Sequence, residues 1–337
     1  MLEISEIKDK MLGFGITEDR IKTDEPMSRH TSFRIGGPAD VMVTCNDEKE
    51  LAELLAWLSA EGIEHMIVGN GSDLLFRDGG YRGVIVVLGG EFGSIELDPA
   101  DAGGEAGNDE EKAASCEVTA GSARLLSSVS AFAYENGLTG FEFAGGIPGS
   151  VGGAIFMNAG AYGGEMKDIV KSVRLMKSDG SEIFSVPGSE MDFAYRNSRA
   201  QKGNEIVLSA TFSLEHGDKE EIKAKITDFY NRRSSKQPLN FASAGSTFKR
   251  PVGGYAAALI EEAGLKGEAV GDAEVSTKHS GFIINRGSAS CKDVLELMET
   301  VKKRVYENSG IMLEPEVRIV GSDTEVGRDE EVAGDEE

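Results

Sequence analysis

Long apolar runs are missing from this chain. No stretch approaches the ~20 residues that a membrane span requires, and Met1 to Met11 mix acids and lysines where a secretory leader would be apolar. A cytoplasmic protein with no membrane partner is expected. Cysteine is scarce too: Cys45, Cys116 and Cys291 are odd in number, widely separated and never form a C-x-x-C pair. That leaves no basis for a disulfide framework or a zinc site, and all three read as structural. The four histidines make no metal-ligating cluster, so no metal is expected. Positive charge is also short, with 35 Lys and Arg against 58 Asp and Glu and a net charge of −23. Nucleic acid, which needs a basic footprint, is therefore an unsuitable partner.

The acidity is uneven. Asp98 to Lys112 carries six acids and one lysine, and Ser322 to Glu337 carries eight acids and one arginine, so these two segments hold −12 of the total. Pro99 to Ala114 has no apolar period and reads as a flexible surface insertion in a hairpin, and the tail 322–337 reads as disordered. Neither is expected to carry chemistry.

What is abundant is glycine, 43 among 337 residues, well above the usual ~7%. The length exceeds one ordinary core of roughly 100 to 200 residues, so two or three units are expected, with room for a ligand cleft between them. Residues 1–95 read as strand, helix, strand and strand: Ala39 to Thr44, Glu48 to Glu61, His65 to Val68 and Val84 to Leu88. Residues 96–217 give a second α+β unit, with a helix from Ala123 to Asn136 and strands at Val170 to Lys177, Ser181 to Phe184 and Ile206 to Leu214. A charged helix from Glu220 to Arg233 opens a third unit, 218–321. There, helices at Tyr255 to Ala263 and Cys291 to Asn308 flank strands at Phe282 to Asn285 and Glu316 to Val320.

Two loops stand out. Gly69-Asn70-Gly71-Ser72-Asp73-Leu74 follows a strand directly, and its small residues let backbone N–H groups approach an anion such as a pyrophosphate. It lacks the third glycine of G-x-G-x-x-G, and the chain has no G-x-x-x-x-G-K-[ST] loop, so neither a Rossmann nor a P-loop reading is favoured. The second loop, Ala144 to Ala154, holds five glycines and Pro148 in eleven residues and runs on to Asn158 and Gly164. Ordering so much glycine costs conformational entropy that a bound ligand can offset. Together the loops suggest one extended ligand clamped between two subdomains.

The paired loops resemble the flavin-binding halves of UDP-N-acetylenolpyruvoylglucosamine reductases. The resemblance continues through Thr31-Ser32-Phe33-Arg34-Ile35-Gly36-Gly37-Pro38-Ala39, Phe193-Ala194-Tyr195-Arg196-Asn197-Ser198, Gly245-Ser246-Thr247-Phe248-Lys249-Arg250-Pro251, Ser276-Thr277-Lys278-His279 and Glu314 to Gly321. It spans roughly 20–321 in order, and the short third unit is similar to the second type of these enzymes. It implies an α+β fold: a two-subdomain FAD-binding fold of the vanillyl-alcohol-oxidase and p-cresol-methylhydroxylase type, followed by a smaller α+β substrate-binding domain. It further implies noncovalent FAD, NADPH as hydride donor, a UDP-sugar substrate and a role in peptidoglycan precursor synthesis; a monomer is expected.

Carried over residue by residue, the resemblance assigns FAD contacts to Arg34, Gly69, Asn70, Gly71, Ser72, Asp73, Leu74, Gly121, Gly145, Ile147, Pro148, Ser150, Gly152, Gly153, Ala154 and Asn158. Arg196, Ser246 and Glu316 take the catalytic positions, with Ser246 as proton donor. Lys236, Tyr195 and Lys249 take substrate positions, within a basic stretch that also holds Arg232, Arg233 and Arg250. Asp73 departs from the family, which generally has Asn there; Ala258 stands where many relatives carry Lys, and the insertion has no counterpart. A carboxylate near a pyrophosphate is repulsive unless solvated or paired. An ionised Glu316 cannot stabilise an anion, so it either carries a proton or acts through Arg196. For His279 a satisfied structural imidazole is as good a reading as a ligand contact. Two rival functions stay open at this level. Another flavin oxidoreductase would need different substrate residues, and a noncatalytic flavin-binding module would need no polar set in the third unit.

Overall fold

The computed structural model describes residues 3–98 and 115–323. A four-stranded sheet runs in the order Ile21–Pro26, Pro38–Cys45, Tyr81–Leu88, His65–Val68; the first pair is antiparallel and the other two are parallel. Parallel neighbours need a crossover, and the helix Glu48–Ala60 lies within it, capped by Asp47, whose carboxylate accepts from Glu50 N at 2.8 Å. Leu51, Leu54, Leu55 and Leu58 are buried on one sheet face with Val41, Val43, Val84 and Val86. Met42 and Ile85, one step along the same strands, point to the other face with Met27, Val68 and Phe76. The sheet is thus covered on both sides.

The second sheet is antiparallel and runs Ile183–Pro187, Val170–Met176, Ile206–His216, Ser115–Gly121, Ile95–Leu97. Ile95–Leu97 and Ser115–Gly121 form the expected hairpin; its insertion, and the tail beyond residue 323, lie outside the described residues. Helices Leu126–Glu135 and Val151–Phe156 contribute to the core beneath this sheet. The second of these was expected as loop. Each glycine in a helix costs roughly 1 kcal/mol against alanine, yet Gly152 and Gly153 are held there because Val151, Ala154 and Ile155 are buried and Ser150 caps the first turn.

A third, three-stranded antiparallel sheet, Ala269–Val270, Ala273–Val275 and Ile283–Asn285, packs with helices Ala256–Glu262 and Cys291–Ser309. The long helix buries Cys291, Val294, Leu297, Met298, Val301 and Val305 along one stripe; it starts at a Ser290/Asp293 capping box and stops at Gly310, φ 72°. Here the structure departs from expectation. The last strand, Arg318–Val320, does not join this sheet but pairs in parallel with Leu74–Phe76 of the first unit. Leu74, Leu75 and Phe76 are all buried, and the final strand satisfies backbone groups there, as in Arg77 N donating to Val320 O at 2.8 Å. The segment after Gly321 also begins docked, since Ser322 N donates to Gly80 O and Arg77 pairs with Asp323. Disorder from residue 322 onward is corrected to that extent. The helices Ile4–Gly13 and Val151–Phe156 and the strand Ile21–Pro26 had no counterpart in the sequence reading.

Candidate active site

The two glycine loops touch. Asn70 Nδ2 donates to Pro148 O at 2.8 Å, and a Cβ added to Gly69 would stand 2.4 Å from Ser150 Oγ. Gly71 sits at φ 59°, where a Cβ would lie 2.0 Å from His30 O, and its own carbonyl accepts from Ser32 N at 3.1 Å. Glycine is required there by the neighbouring chain as well as by the turn. Beside this loop a cavity of about 660 Å³ is lined by His30, Arg34, Gly69, Asn70, Leu239 and Phe241 among others.

In the second loop Ser150 Oγ accepts from Gly153 N, while Gly152 N donates to Ser122 O at 2.8 Å and Val151 N to Arg124 O at 2.8 Å. Three buried side-chain atoms along it, Ser122 Oγ, Arg124 Nε and Arg233 Nη1, have no hydrogen-bond partner among the described residues. Buried polar atoms are rarely left so, and three together fit a cleft built for a polar ligand. Arg233 Nη1 would be 3.1 Å from a Cβ on Gly146. Ser122 and Arg124 were missed from the sequence; their only signal was their place between a strand and a helix, just beyond the hairpin strand Ser115–Gly121.

Some predicted contacts stand behind the loop surface. Gly121 is buried, and a Cβ there would meet Phe92 O at 2.1 Å. Gly145 faces Ser130 Oγ, Ala154 is buried in the core, and Ile147 packs against that core. Asn158 is 1% exposed and its amide is engaged on both sides: Nδ2 donates to Glu165 Oε2 and Ala194 O, and Oδ1 accepts from Lys167 N. The Asn158 side chain thus supports a neighbouring turn, with both amide hydrogens engaged and one of the two Oδ1 lone pairs taken.

What Asn158 holds is the turn Ala194–Asn197, closed by hydrogen bonds in both directions between those two residues. Within it Arg196 takes φ 53°, a left-handed conformation uncommon for a side-chain-bearing residue. Arg196 Nε donates to Glu316 Oε1 at 2.7 Å and Tyr195 OH to Glu316 Oε2 at 3.0 Å, while Arg250 N donates to Tyr195 OH at 3.1 Å. The side chains of Arg196 and Glu316 are only 24% and 10% exposed. Burial works against the Arg196 charge, but the Glu316 carboxylate overcomes it and the guanidinium pKa is raised. Tyr195 is pushed up by burial.

Glu316 is placed by its backbone: its N donates to Thr247 O at 2.8 Å, next to the Phe248–Pro315 bridge. Thr247 is pinned in turn, its N donating to Gly281 O and its Oγ1 accepting from Ile283 N. Ser246, one residue before Thr247, is half-buried beside Gly245 at φ 78°. The sequence-predicted trio is therefore gathered by one strand-like contact and one turn. Asp73 belongs to the same neighbourhood. Burial pushes its carboxyl up to about 8, the Glu316 charge adds to that, and Arg196 and Arg318 oppose it.

The substrate-side lysines are looser. Lys249 Nζ lies 3.5 Å from Glu314, and Lys236 is exposed at the end of the helix Lys219–Lys236. His279 packs edge-on against Phe282 at 5.0 Å, accepts from Gly281 N, and is held below its usual pKa by burial, which favours the structural imidazole. The three cysteines are buried, and burial pushes the Cys45 and Cys291 thiols to about 12, far from a reactive thiolate.

Residues 39–184, which contain both loops, match the family model of an FAD-binding domain. The cleft is that of an FAD-dependent oxidoreductase, and FAD is its cofactor. Residues 237–320, which contain Ser246 and Glu316, match the C-terminal domain of UDP-N-acetylenolpyruvoylglucosamine reductase. The chain belongs to the UDP-N-acetylenolpyruvoylglucosamine reductase family. The reductase of Clostridioides difficile (strain 630) is 49% identical over 308 residues, covering 91% of this chain and 96% of the relative. That of Caldanaerobacter subterraneus is 47% identical over 306 residues, covering 91% and 95%. Among solved structures, the reductase of Thermus caldophilus superposes with a TM-score of 0.71 at 34% identity, covering 87% of this chain and 97% of that one. No helix among the described residues is long and apolar enough to cross a membrane.

Proposed function

We propose that this chain, as a cytoplasmic monomer, uses NADPH to reduce enolpyruvyl-UDP-N-acetylglucosamine to UDP-N-acetylmuramate. The observation that carries the reading is the Tyr195–Arg196–Glu316 cluster, which joins a turn of the flavin-binding part to the C-terminal unit. Bound FAD supplies the relay that accepts hydride from NADPH and passes it to the enolpyruvyl double bond. The loops Gly69 to Leu74 and Pro148 to Gly153 would hold it, with Arg34, Ser122, Arg124 and Arg233 as further polar partners.

When hydride reaches the carbon remote from the substrate carboxylate, negative charge spreads into that carboxylate, and a fixed cation there lowers the barrier. Arg196 is that cation. Its bond to Glu316 uses Nε, so its paired Nη groups are the fork that meets the carboxylate. Glu316 acts through Arg196, fixing the guanidinium plane together with Tyr195. Ser246 gives its proton to the carbon next to the carboxylate; a hydroxyl is a weak acid, and the transfer depends on holding it within hydrogen-bond reach of a strongly basic carbon. Lys236 and Lys249 face the UDP diphosphate.

Anaerobic stopped-flow absorbance tests the whole reading. NADPH should bleach the yellow protein, and the UDP-sugar should restore the colour without oxygen. Bleaching without restoration would remove the substrate assignment. In Ser246→Ala the bleaching should be unchanged and the restoration slower by orders of magnitude; equal slowing of both halves would show a folding or flavin defect instead.

A further inference from the structure

The segment that follows Ser246 is tied at its start to the reacting centre. Lys249 N donates to Glu314 O at 2.9 Å, and Arg250 N donates to Tyr195 OH, which itself donates to Glu316, so the root of the loop 250–255 is fixed by backbone bonds. Beyond that root the loop is open. Gly253 takes φ 83°, and a Cβ added to Gly253 or Gly254 would meet nothing within 4 Å. The Arg250 guanidinium lies over the Tyr255 ring, 4.1 Å from its centroid, and Tyr255 is 62% exposed. Arg232, Arg286 and Arg304 of the same unit each pair with a carboxylate, whereas the Arg250 side chain has no hydrogen-bond or ion-pair partner among the described residues. A cavity of about 290 Å³ is lined by Arg250, Pro251, Gly253, Gly254 and Tyr255. Pockets for whole ligands begin near ~300 Å³, so this one suits a single end of a larger molecule.

We propose that Arg250 and Tyr255 form a stacking platform for the uracil of the UDP-sugar, a base subsite apart from the lysines that face the diphosphate. This rests on the function proposed above. A guanidinium lying on a phenol ring presents flat faces to a third planar group, and a nucleotide base is such a group whatever hydrogen bonds its edge makes. Gly253 and Gly254 keep side chains out of the path of an incoming ring. Position selects the uracil. Ser246 serves the enolpyruvyl carbon and Lys249 the diphosphate, and the chain then reaches Arg250 and Tyr255, so the order of residues repeats the order of groups along the substrate. The unpaired guanidinium also adds local positive charge for an anionic ligand in a protein of net charge −23.

Two measurements on the flavin-loaded enzyme test it. In saturation-transfer NMR with UDP as the probe, the uracil protons should be saturated more strongly than the ribose anomeric proton in the wild type, and that preference should vanish in Tyr255→Ala. An unchanged preference in the variant, or no transfer to UDP in the wild type, overturns the proposal. In steady-state kinetics, Tyr255→Ala and Arg250→Ala should each raise KM for the UDP-sugar at least fivefold, the loss expected for one stacked base, with kcat changed less than twofold. Tyr255→Phe keeps the ring and should bring KM back to near the wild-type value. Neither alanine replacement removes the backbone donor at Arg250, and Tyr255→Ser takes the place of Tyr255→Ala if that variant loses its flavin. A level KM for the UDP-sugar in Tyr255→Ala overturns the proposal, and so does a rise confined to the KM for NADPH, which would give the platform to the dinucleotide. If the UDP-sugar fails to reoxidise the flavin, the proposed function falls, whereas the NMR measurement still decides whether uracil sits on Tyr255.

Discussion

Arg196 is held in a strained backbone conformation by a turn that Asn158 secures from below. A left-handed residue with a side chain costs roughly 1–2 kcal/mol, and it persists because both the turn and Glu316 define the side chain's direction. Two predictions belong at this scale. Arg196→Lys keeps the charge but loses the planar fork, so carboxylate recognition should suffer: KM for the UDP-sugar rises at least tenfold while NADPH still bleaches the flavin normally. An unchanged KM would take Arg196 away from the carboxylate. Asn158→Leu keeps the branched shape without the amide, strands the Ala194 and Lys167 backbone groups, and must hold the left-handed φ of 43° that asparagine tolerates. It should cost about 1–3 kcal/mol in urea unfolding and slow flavin reoxidation more than flavin reduction; a variant with wild-type stability would show that the turn stands by itself.

At the scale of elements, the joints between units do as much as the units. Asp78, in the loop after Leu74–Phe76, accepts from Cys291 N and Lys292 N at 2.8 and 2.9 Å, so a carboxylate of the first unit caps the long helix of the third. Asp78→Ala should lower stability by roughly 0.5–2 kcal/mol, as read by denaturant unfolding. No change would mean that the Ser290 capping box suffices. Such joints explain what could be read from the sequence. The helix Glu48–Ala60 and the strand His65–Val68 carry their own periodicity, and the residues Arg196, Ser246 and Glu316 were found through motifs that are local in sequence. The strand Arg318–Val320 is three residues long and half exposed, and nothing local says that its partner lies some 240 residues upstream. The helix Val151–Phe156 was hidden by its two glycines, since burial rather than propensity maintains it. Asp73 was visible as an oddity in a loop, but its charged neighbours Glu316, Arg196 and Arg318 come from distant parts of the sequence and became known only in the folded chain.

For the whole molecule, the raised Asp73 carboxyl ties stability to pH with a definite sign. The folded protein keeps this proton up to about pH 8, whereas an unfolded aspartate releases it near pH ~4. Its contribution is therefore largest below pH 4, is lost progressively as pH rises to 8, and is flat above. Thermal unfolding of Asp73→Asn against the wild type should show a Tm difference that moves in the variant's favour between pH 5 and 8, and a constant difference would contradict it. The pairing of Arg318–Val320 with Leu74–Phe76 has a further consequence for how the molecule comes into being. Both flavin-binding loops are synthesised well before Glu316 and the strand that seats it. A nascent or C-terminally clipped chain can thus present both flavin-binding loops while lacking the partner of Arg196. It would also expose the edge of Leu74–Phe76, an apolar strand open to pairing with other chains. Docking of Arg318–Val320 closes the reactive pocket and removes that sticky edge in a single pairing event.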